Sequence, residues 1–329
     1  MKSSYKSLKI FYDNNNFNIK FLPSFFRPLY KKEVLVKIKY SNLNYKDALS
    51  VTGTSRIIRG NCLVPGLDFS GTVIDSNSSK YTKGDDVLAT GAGLGETIDG
   101  GFSEYAYVPE NILIKLPNKL SLFSSMQIGT AGFTAAISID KMIHNKQKIS
   151  SGPIAITGAS GGVGSIAINI LSNLGFEIIA ITKKNNVNSY LKKIGASKVF
   201  KLKNYSNDNF LNKTLFAGAV DNVGGEILNW IIKSTSNSGN IICVGMALNH
   251  KLNTSVFPFI IRGINLLGVS STNYPNNKRK YIWKNLSNKY KPNKLNIINS
   301  KCINMEDIVK YSKKIISGKS IGKVIIKIS

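Results

Sequence analysis

The run Ile154-Ala155-Ile156-Thr157-Gly158-Ala159-Ser160-Gly161-Gly162-Val163-Gly164 is the part of the chain best suited to hold a charged ligand. An apolar strand enters a glycine-rich turn, and a helical pattern leaves it. Glycines let a backbone turn tightly and approach a pyrophosphate. The helix that follows offers free N–H groups and the positive end of its dipole. Ala159 stands where the G-x-G-x-x-G pattern has its first glycine, so the spelling is imperfect, while the strand–loop–helix setting is the one the pattern requires. The expected phosphate cradle is Ser160, Gly161, Gly162 and Val163. A glycine-rich turn without a ligand is the alternative.

The next strand discriminates between nucleotides. NAD-binding domains place an acidic residue about 20 residues on, at the ribose 2′-OH. This chain has Thr182-Lys183-Lys184 there. A hydroxyl and two ammonium groups attract a 2′-phosphate that a carboxylate would repel, so NADPH is the expected cofactor. Lys201, at the end of the third strand, adds a further cation, although a general lysine excess would also account for these residues. Ligands of open α/β sheets lie at the carboxyl ends of strands. The turns Val244-Gly245-Met246 and Ser270-Ser271-Thr272 are therefore expected on the nicotinamide side, with Met246 and Ser271 as contacts.

The elements that position these residues follow from hydrophobic periodicity. Strands are expected over 153–157, 177–182, 198–202, 219–223, 240–245 and 264–270, with a helix over 164–174. Such alternation implies a parallel sheet covered on both faces, a doubly wound α/β domain of Rossmann type. The first segment differs. Residues 33–40 alternate with period two, 71–74 and 86–89 are further short strands, and glycine turns separate them. It reads as a mostly β domain, to which a last strand at 323–328 is expected to return. The division expected is 1–122 with 296–329 for the β domain, and 123–295 for the nucleotide domain.

Composition narrows the function. The 329 residues are 43 % apolar and 19 % charged, enough to bury two cores. No stretch of 18 apolar residues suggests a membrane span. The start, Met1 to Lys6 leading into Asp13-Asn14-Asn15-Asn16, lacks the apolar segment of a signal peptide, so a cytoplasmic enzyme is expected. Cys62, Cys243 and Cys302 lie far apart, and the histidines are His144 and His250 alone, which supplies no metal-ligand spacing. The net charge of +26 admits nucleic acid binding. The lysines are spread along the chain without interleaved aromatics, so a general attraction for anionic ligands is expected instead.

Further segments carry a resemblance. Asn42-Leu43-Asn44-Tyr45-Lys46-Asp47-Ala48-Leu49 resembles the N-x-x-D segment of the quinone oxidoreductase branch of the medium-chain dehydrogenase/reductase superfamily, and 65–73 resembles its P-G-x-D-x-x-G-x-V. Leu67-Asp68 replaces the His-Glu pair of the zinc alcohol dehydrogenases, so no metal is expected at that place. Thr52-Gly53, Ile57-Ile58-Arg59, Thr90-Gly91, Leu94-Gly95-Glu96, 129–135 and 257–263 occur together with these. Their order and joint presence resemble the acrylyl-CoA reductase family from about Ser41 onward. The chain departs from that family at Ala92 and Asp99, where tryptophans are usual, and at Ser270, where an acidic residue is common.

The resemblance implies a GroES-like catalytic domain beside the Rossmann domain, a homodimer, and reduction of the alkene of a short enoyl-CoA ester by NADPH. The protein's part in such chemistry is orientation and electrostatics. Tyr45 is then the candidate catalytic residue, since the resemblance places its segment at the nicotinamide; it either donates a proton or packs against the ring. Arg59 and Arg262 either hold the CoA phosphates or the thioester oxygen, or form ordinary salt bridges. His144 and Cys243 belong to no nucleophile–base pattern and are expected to be structural. A quinone or enone reductase uses the same scaffold, and a dinucleotide-responsive RNA-binding protein is the rival from another class.

Overall fold

The computed structural model describes residues 3–14, 16–201 and 209–329, with the side chain of Ser300 left aside. Met1, Lys2 and Asn15 of the N-terminal reading lie outside the described residues. So does Leu202, where the third strand of the nucleotide domain was expected to end.

In chain order the elements are β1 (Ser4–Asp13), β2 (Asn16–Phe25), β3 (Glu33–Leu43), α1 (Tyr45–Val51), β4 (Cys62–Leu63), β5 (Asp68–Ser76), β6 (Asp86–Thr90), β7 (Tyr105–Pro109), β8 (Ile114–Lys115) and α2 (Leu122–His144). There follow β9 (Ile154–Ile156), α3 (Gly162–Asn173), β10 (Ile178–Thr182), α4 (Asn188–Lys193), β11 (Lys198–Lys201), β12 (Phe216–Asp221), α5 (Gly225–Ser234), β13 (Thr235–Cys243), α6 (Phe257–Arg262) and β14 (Asn265–Gly268). The last are α7 (Asn276–Leu286), α8 (Leu295–Ile298), β15 (Asn299–Asn304), α9 (Ile308–Ile316) and β16 (Lys323–Lys327).

These elements form two compact units. The first comprises Met1–Thr130, Ser271–Asn288 and Asn299–Ser329, and the second Ala131–Ser270 and Lys289–Ile298.

The first unit is built on a sheet in the order β15-β16-β3-β5-β6-β8, with β7 also paired to β3. Strand β3 holds it together because its alternating Val34, Val36 and Ile38 reach one core with Phe69, Val73, Val87, Ala89 and Val108. Strand β16 joins this sheet antiparallel to β3, Val324 opposite Leu43 and Lys327 opposite Tyr40. A smaller sheet, β2-β1-β4, packs Leu8 and Ile10 onto Ile303, Ile308 and Ile326.

The second unit is a parallel sheet in the order β11-β10-β9-β12-β13-β14. Numbered within the sheet this is 3-2-1-4-5-6, the doubly wound order whose reversal lies beside the first strand. The strands read as apolar runs because both faces are buried. Ala155, Ile179, Ile181, Ala219 and Ile241 pack with Leu228, Ile231 and Ile264 on one side.

Several boundaries differ from expectation. The first helix starts at Gly162, not Gly164, because Gly161 is the extended N-cap. Gly162 and Val163 thereby form its first turn. The fourth strand ends at Asp221 because Asn222 turns back, its Nδ2 donating to Thr157 O at 2.7 Å. The fifth begins at Thr235 and stops at Cys243, where the Val244 and Gly245 N–H groups fold onto Asp221 O.

By length and composition, α2 is apolar enough to cross a membrane, which the sequence reading did not expect. It is a core helix instead: 78 % of its most apolar window is buried, and Gly129 (φ 50°, ψ −159°) breaks it.

Candidate active site

In the second unit the loop after β9 is shaped by what glycine lacks. Gly158 has φ +56°, and a Cβ on Gly164 would stand 2.6 Å from Gly158 O and 2.9 Å from Ala159 Cα. Only glycine lets α3 start this close under the loop. The first-turn amides of Gly162, Val163 and Gly164 have no partner within the helix and point out of its N-terminus. Ser160 is buried beside them. Tyr190 of α4 donates to Ser165 Oγ at 2.8 Å, which ties α4 to that first turn.

The neighbouring strand ends gather the other expected residues. Thr182 and Lys201 are register partners at the ends of β10 and β11. Thr182 Oγ1 accepts the Lys184 N–H at 3.1 Å, leaving its own proton to donate. Lys183 and Lys201 are exposed. Lys184 is half-buried, and that burial lowers its pKa. On the other side of β9, Asp221 accepts Thr157 Oγ1 at 2.6 Å and Gly224 N at 2.8 Å. Burial raises the Asp221 pKa, opposed by those bonds. Burial, then Asp221, pushes the Cys243 thiol up to about 11, so it is a poor nucleophile. Met246 follows β13 with its side chain 69 % exposed.

Arg262 takes a structural position. Its guanidinium donates to three backbone carbonyls of the same unit: Lys233 at 2.8 Å, Thr235 at 3.0 Å and Asn212 at 2.6 Å. Those hydrogens tie α6 to the start of β13. His144 lies at the exposed end of α2 beside Asp140.

In the first unit a buried polar network centres on Asp68. Its Oδ2 accepts Asn42 Nδ2 at 2.8 Å, Asn44 Nδ2 at 3.0 Å and Thr130 N at 2.7 Å, and its Oδ1 accepts the Thr130 hydroxyl. Asp47 accepts Asn44 N, Asn44 Nδ2 and, through its other oxygen, Leu67 N at 2.9 Å. Burial, then the Asp68 carboxylate, pushes Asp47 up to about 7. Lys323, at the start of β16, donates to Ile128 O at 3.1 Å; burial pulls it down to about 8 against Asp68 and Asp47. Gly129 is obligatory here. A Cβ would lie 2.1 Å from Asn42 Nδ2, 2.8 Å from Asp68 Oδ2 and 2.9 Å from Lys323 Nζ.

Tyr45 opens α1 directly beside this network, 45 % exposed, with Asn44 as N-cap and Asp47 closing the capping box. Lys46 is ion-paired with Glu96, which joins α1 to the glycine loop after β6. Arg59 is exposed, its N–H bonded to Glu96 O at 2.8 Å. Asp99, one of the departures from the family pattern, accepts Val64 N at 2.8 Å. Ala92, a second departure, has φ +54° and packs on the sheet core. Ser271 offers its carbonyl to Arg279 of α7 at 2.7 Å.

Thus the nucleotide candidates Ser160 to Val163, Thr182 to Lys184 and Lys201 lie at the carboxyl ends of the adjacent strands β9, β10 and β11, while Tyr45 and Ser271 belong to the first unit. Sequence reasoning missed Asn42, Thr130, Lys323 and Arg279 as members of this polar interior. A lysine opening an apolar strand is the one signal that pointed to Lys323. Among the described residues no cluster of three or more His, Cys, Asp or Glu has the makings of a metal centre.

Comparison with known proteins agrees with this architecture. Residues 30–118 match the family described as alcohol dehydrogenase GroES-like domain, and 162–288 the family described as zinc-binding dehydrogenase. The chain is 37 % identical over 300 residues to the putative quinone oxidoreductase YhfP of Bacillus subtilis, covering 91 % of each. It is 35 % identical to the probable acrylyl-CoA reductase AcuI of Escherichia coli, covering 90 % of this chain and 91 % of the relative. Its fold matches the yhdH oxidoreductase from Salmonella enterica in complex with NADP (TM-score 0.94, 33 % identity, 98 % and 100 % covered). It matches yhfP of Bacillus subtilis with NAD bound equally well (TM-score 0.94, 34 % identity, 99 % and 100 % covered). With a Rossmann unit, a GroES-like unit and relatives this near over nearly its whole length, the chain is an oxidoreductase of the medium-chain dehydrogenase/reductase superfamily and belongs to its acrylyl-CoA reductase and quinone oxidoreductase branch.

Proposed function

We propose that the chain reduces the alkene of a short enoyl-CoA with NADPH, acrylyl-CoA to propanoyl-CoA in the simplest case. The observation that carries the cofactor is the pair of strand ends where Thr182, Lys183, Lys184 and Lys201 stand together with no carboxylate at the end of β10. The Gly164 position, which a Cβ would fill, and the free first-turn amides fit a pyrophosphate. Ser160 to Val163 hold that group, and the hydroxyl and lysines hold the 2′-phosphate. Met246 and Ser271 are the proposed contacts toward the nicotinamide. The bound cofactor supplies the hydride that goes to the β-carbon, and a proton completes the α-carbon.

The protein must then stabilise negative charge on the substrate's carbonyl oxygen with hydrogen bonds. Tyr45 is the proposed donor, and Arg59 a candidate for the CoA phosphates. The Asp68 network holds the backbone of 42–47 and 129–130 behind it. A relative named acrylyl-CoA reductase supports the acyl-CoA substrate. A second reading, NADPH-dependent quinone or enone reduction, is favoured by the equally near relative named quinone oxidoreductase. NADPH oxidation measured in parallel with acrylyl-CoA, crotonyl-CoA and quinones tests both. Higher kcat/KM with quinones would replace the first reading by the second.

A homodimer belongs to the same proposal. Among the described residues β14 is the last strand of its sheet, and in the same unit Leu248, Val256, Phe257, Ile260 and Ile261 are exposed apolar side chains. Three free cysteines are compatible with a reducing, cytoplasmic setting.

A further inference from the structure

We propose that the Thr90 hydroxyl is a hydrogen-bond donor to a carbonyl oxygen of the bound reactants, and that Arg279 is the positioning residue that holds it. The proposal rests on the reductase reading above. Thr90 ends β6, and its side chain is 2 % exposed. Among the described residues its Oγ1 is buried without a hydrogen-bond partner. A buried hydroxyl left unsatisfied costs stability, a cost that a ligand oxygen accepting its proton would offset.

Its place is specific. Thr90 is the register partner of Asp68 in the antiparallel β5–β6 ladder. Directly opposed residues send their side chains to the same face. Val87 and Ala89, on the alternate positions, point into the sheet core. The Thr90 hydroxyl therefore lies on the polar face with Asp68, the carboxylate that organises Asn42, Asn44 and Thr130.

Arg279 fixes the main chain at this point. It is 1 % exposed. One guanidinium nitrogen donates to Thr90 O at 2.6 Å, and another to Ser271 O at 2.7 Å and Thr272 O at 2.9 Å. Nε donates to Asn276 Oδ1 at 3.1 Å. The two loops touch as backbones, since a Cβ on Gly91 would stand 3.3 Å from Thr272 Cα. Burial draws the guanidinium down to about 10, opposed by Asp68, so it stays cationic at neutral pH. A lysine would keep that charge but lose the planar fork that reaches both loops.

The accepting oxygen belongs either to the substrate thioester or to the nicotinamide carboxamide. Thr90→Val is the decisive variant, because it keeps the shape and removes only the hydroxyl. If the hydroxyl serves the reactants, the melting temperature of the ligand-free protein stays level or rises. Activity falls by about a hundredfold, the scale of one lost oxyanion donor. A fall in kcat/KM for the acyl-CoA with unaltered NADPH Kd assigns the thioester oxygen. A raised Kd for NADPH, with no change for the ADP-ribose 2′-phosphate fragment, assigns the carboxamide.

Arg279→Lys should lower activity similarly and add little in the Thr90→Val background, as residues acting in one unit do. A Thr90→Val protein that retains more than half its kcat/KM and its NADPH affinity, while the natural chain is active, overturns the proposal. So does a drop in its melting temperature, which would make the hydroxyl structural. A natural chain that oxidises NADPH with no enone or quinone overturns the reductase reading itself, a distinguishable result.

Discussion

Tyr45 heads a short helix with its ring partly in solvent and its neighbour Asp47 locked behind it. Tyr45→Phe keeps the ring and removes the phenol. If the phenol donates in the transition state, kcat falls by the equivalent of about 2–4 kcal/mol while NADPH affinity holds. An unaltered kcat on acrylyl-CoA assigns the residue to packing. Lys183→Ala with Lys184→Ala should raise the KM for NADPH far more than that for NADH; equal use of both nucleotides by the natural chain would remove the 2′-phosphate argument. Asp47 adds a pH signature. Its carboxyl is raised from 3.8 to about 7, so the fold favours the protonated form. That contribution is complete below 3.8 and is lost as pH rises through about 7. Urea titrations should therefore show the natural chain losing stability relative to Asp47→Asn across that interval, with parallel curves above it. Residue types at the phosphate loop and at 182–184 were legible in the sequence because their chemistry is local. Thr90 and Arg279 were not, since their significance lies in a cross-strand register and in two carbonyls brought together by the fold.

At the level of elements, the nucleotide unit was readable because its strands are buried on both faces and appear as apolar runs between glycine turns. The strand ends were less so. The Asn222 side chain, bonded to Thr157 O, terminates β12 by a contact with another strand's loop, which no periodicity contains. The break in α2 was likewise hidden. Gly129 sits inside an apolar stretch, and only the atoms within 3 Å of its missing Cβ explain why the helix stops there. Gly129→Ala should cost at least about 2 kcal/mol of unfolding free energy, combining backbone strain with a steric conflict. Gly164→Ala should act differently. It lifts α3 off Gly158 O, so the loss appears mainly as weaker NADPH binding by titration, with a stability cost of about 1–3 kcal/mol. If Gly164→Ala binds NADPH as tightly as the natural chain, the loop is not the phosphate cradle.

For the molecule as a whole, charge and the exposed apolar side chains make separate claims. A net charge of +26 on 329 residues raises the local concentration of anionic ligands, an effect that salt screens. Raising NaCl from about 0.05 to about 0.5 M should weaken acyl-CoA binding more than quinone binding. Salt-sensitive RNA binding in a preparation that oxidises no NADPH would favour the rival class instead. Ile260, 73 % exposed on α6, tests the dimer: Ile260→Glu should sediment as a monomer where the natural chain does not. The pairing of β3 with β16 has a further consequence, for the order of assembly during synthesis. The whole second unit lies between these strands in sequence, so it can complete its own parallel sheet while β3 still waits for a neighbour. Until β16 arrives, Leu43 and Tyr40 border an unpaired edge and Asp68 lacks its buried ammonium. During synthesis the parallel sheet can thus be complete while one side of β3 still lacks its last partner strand.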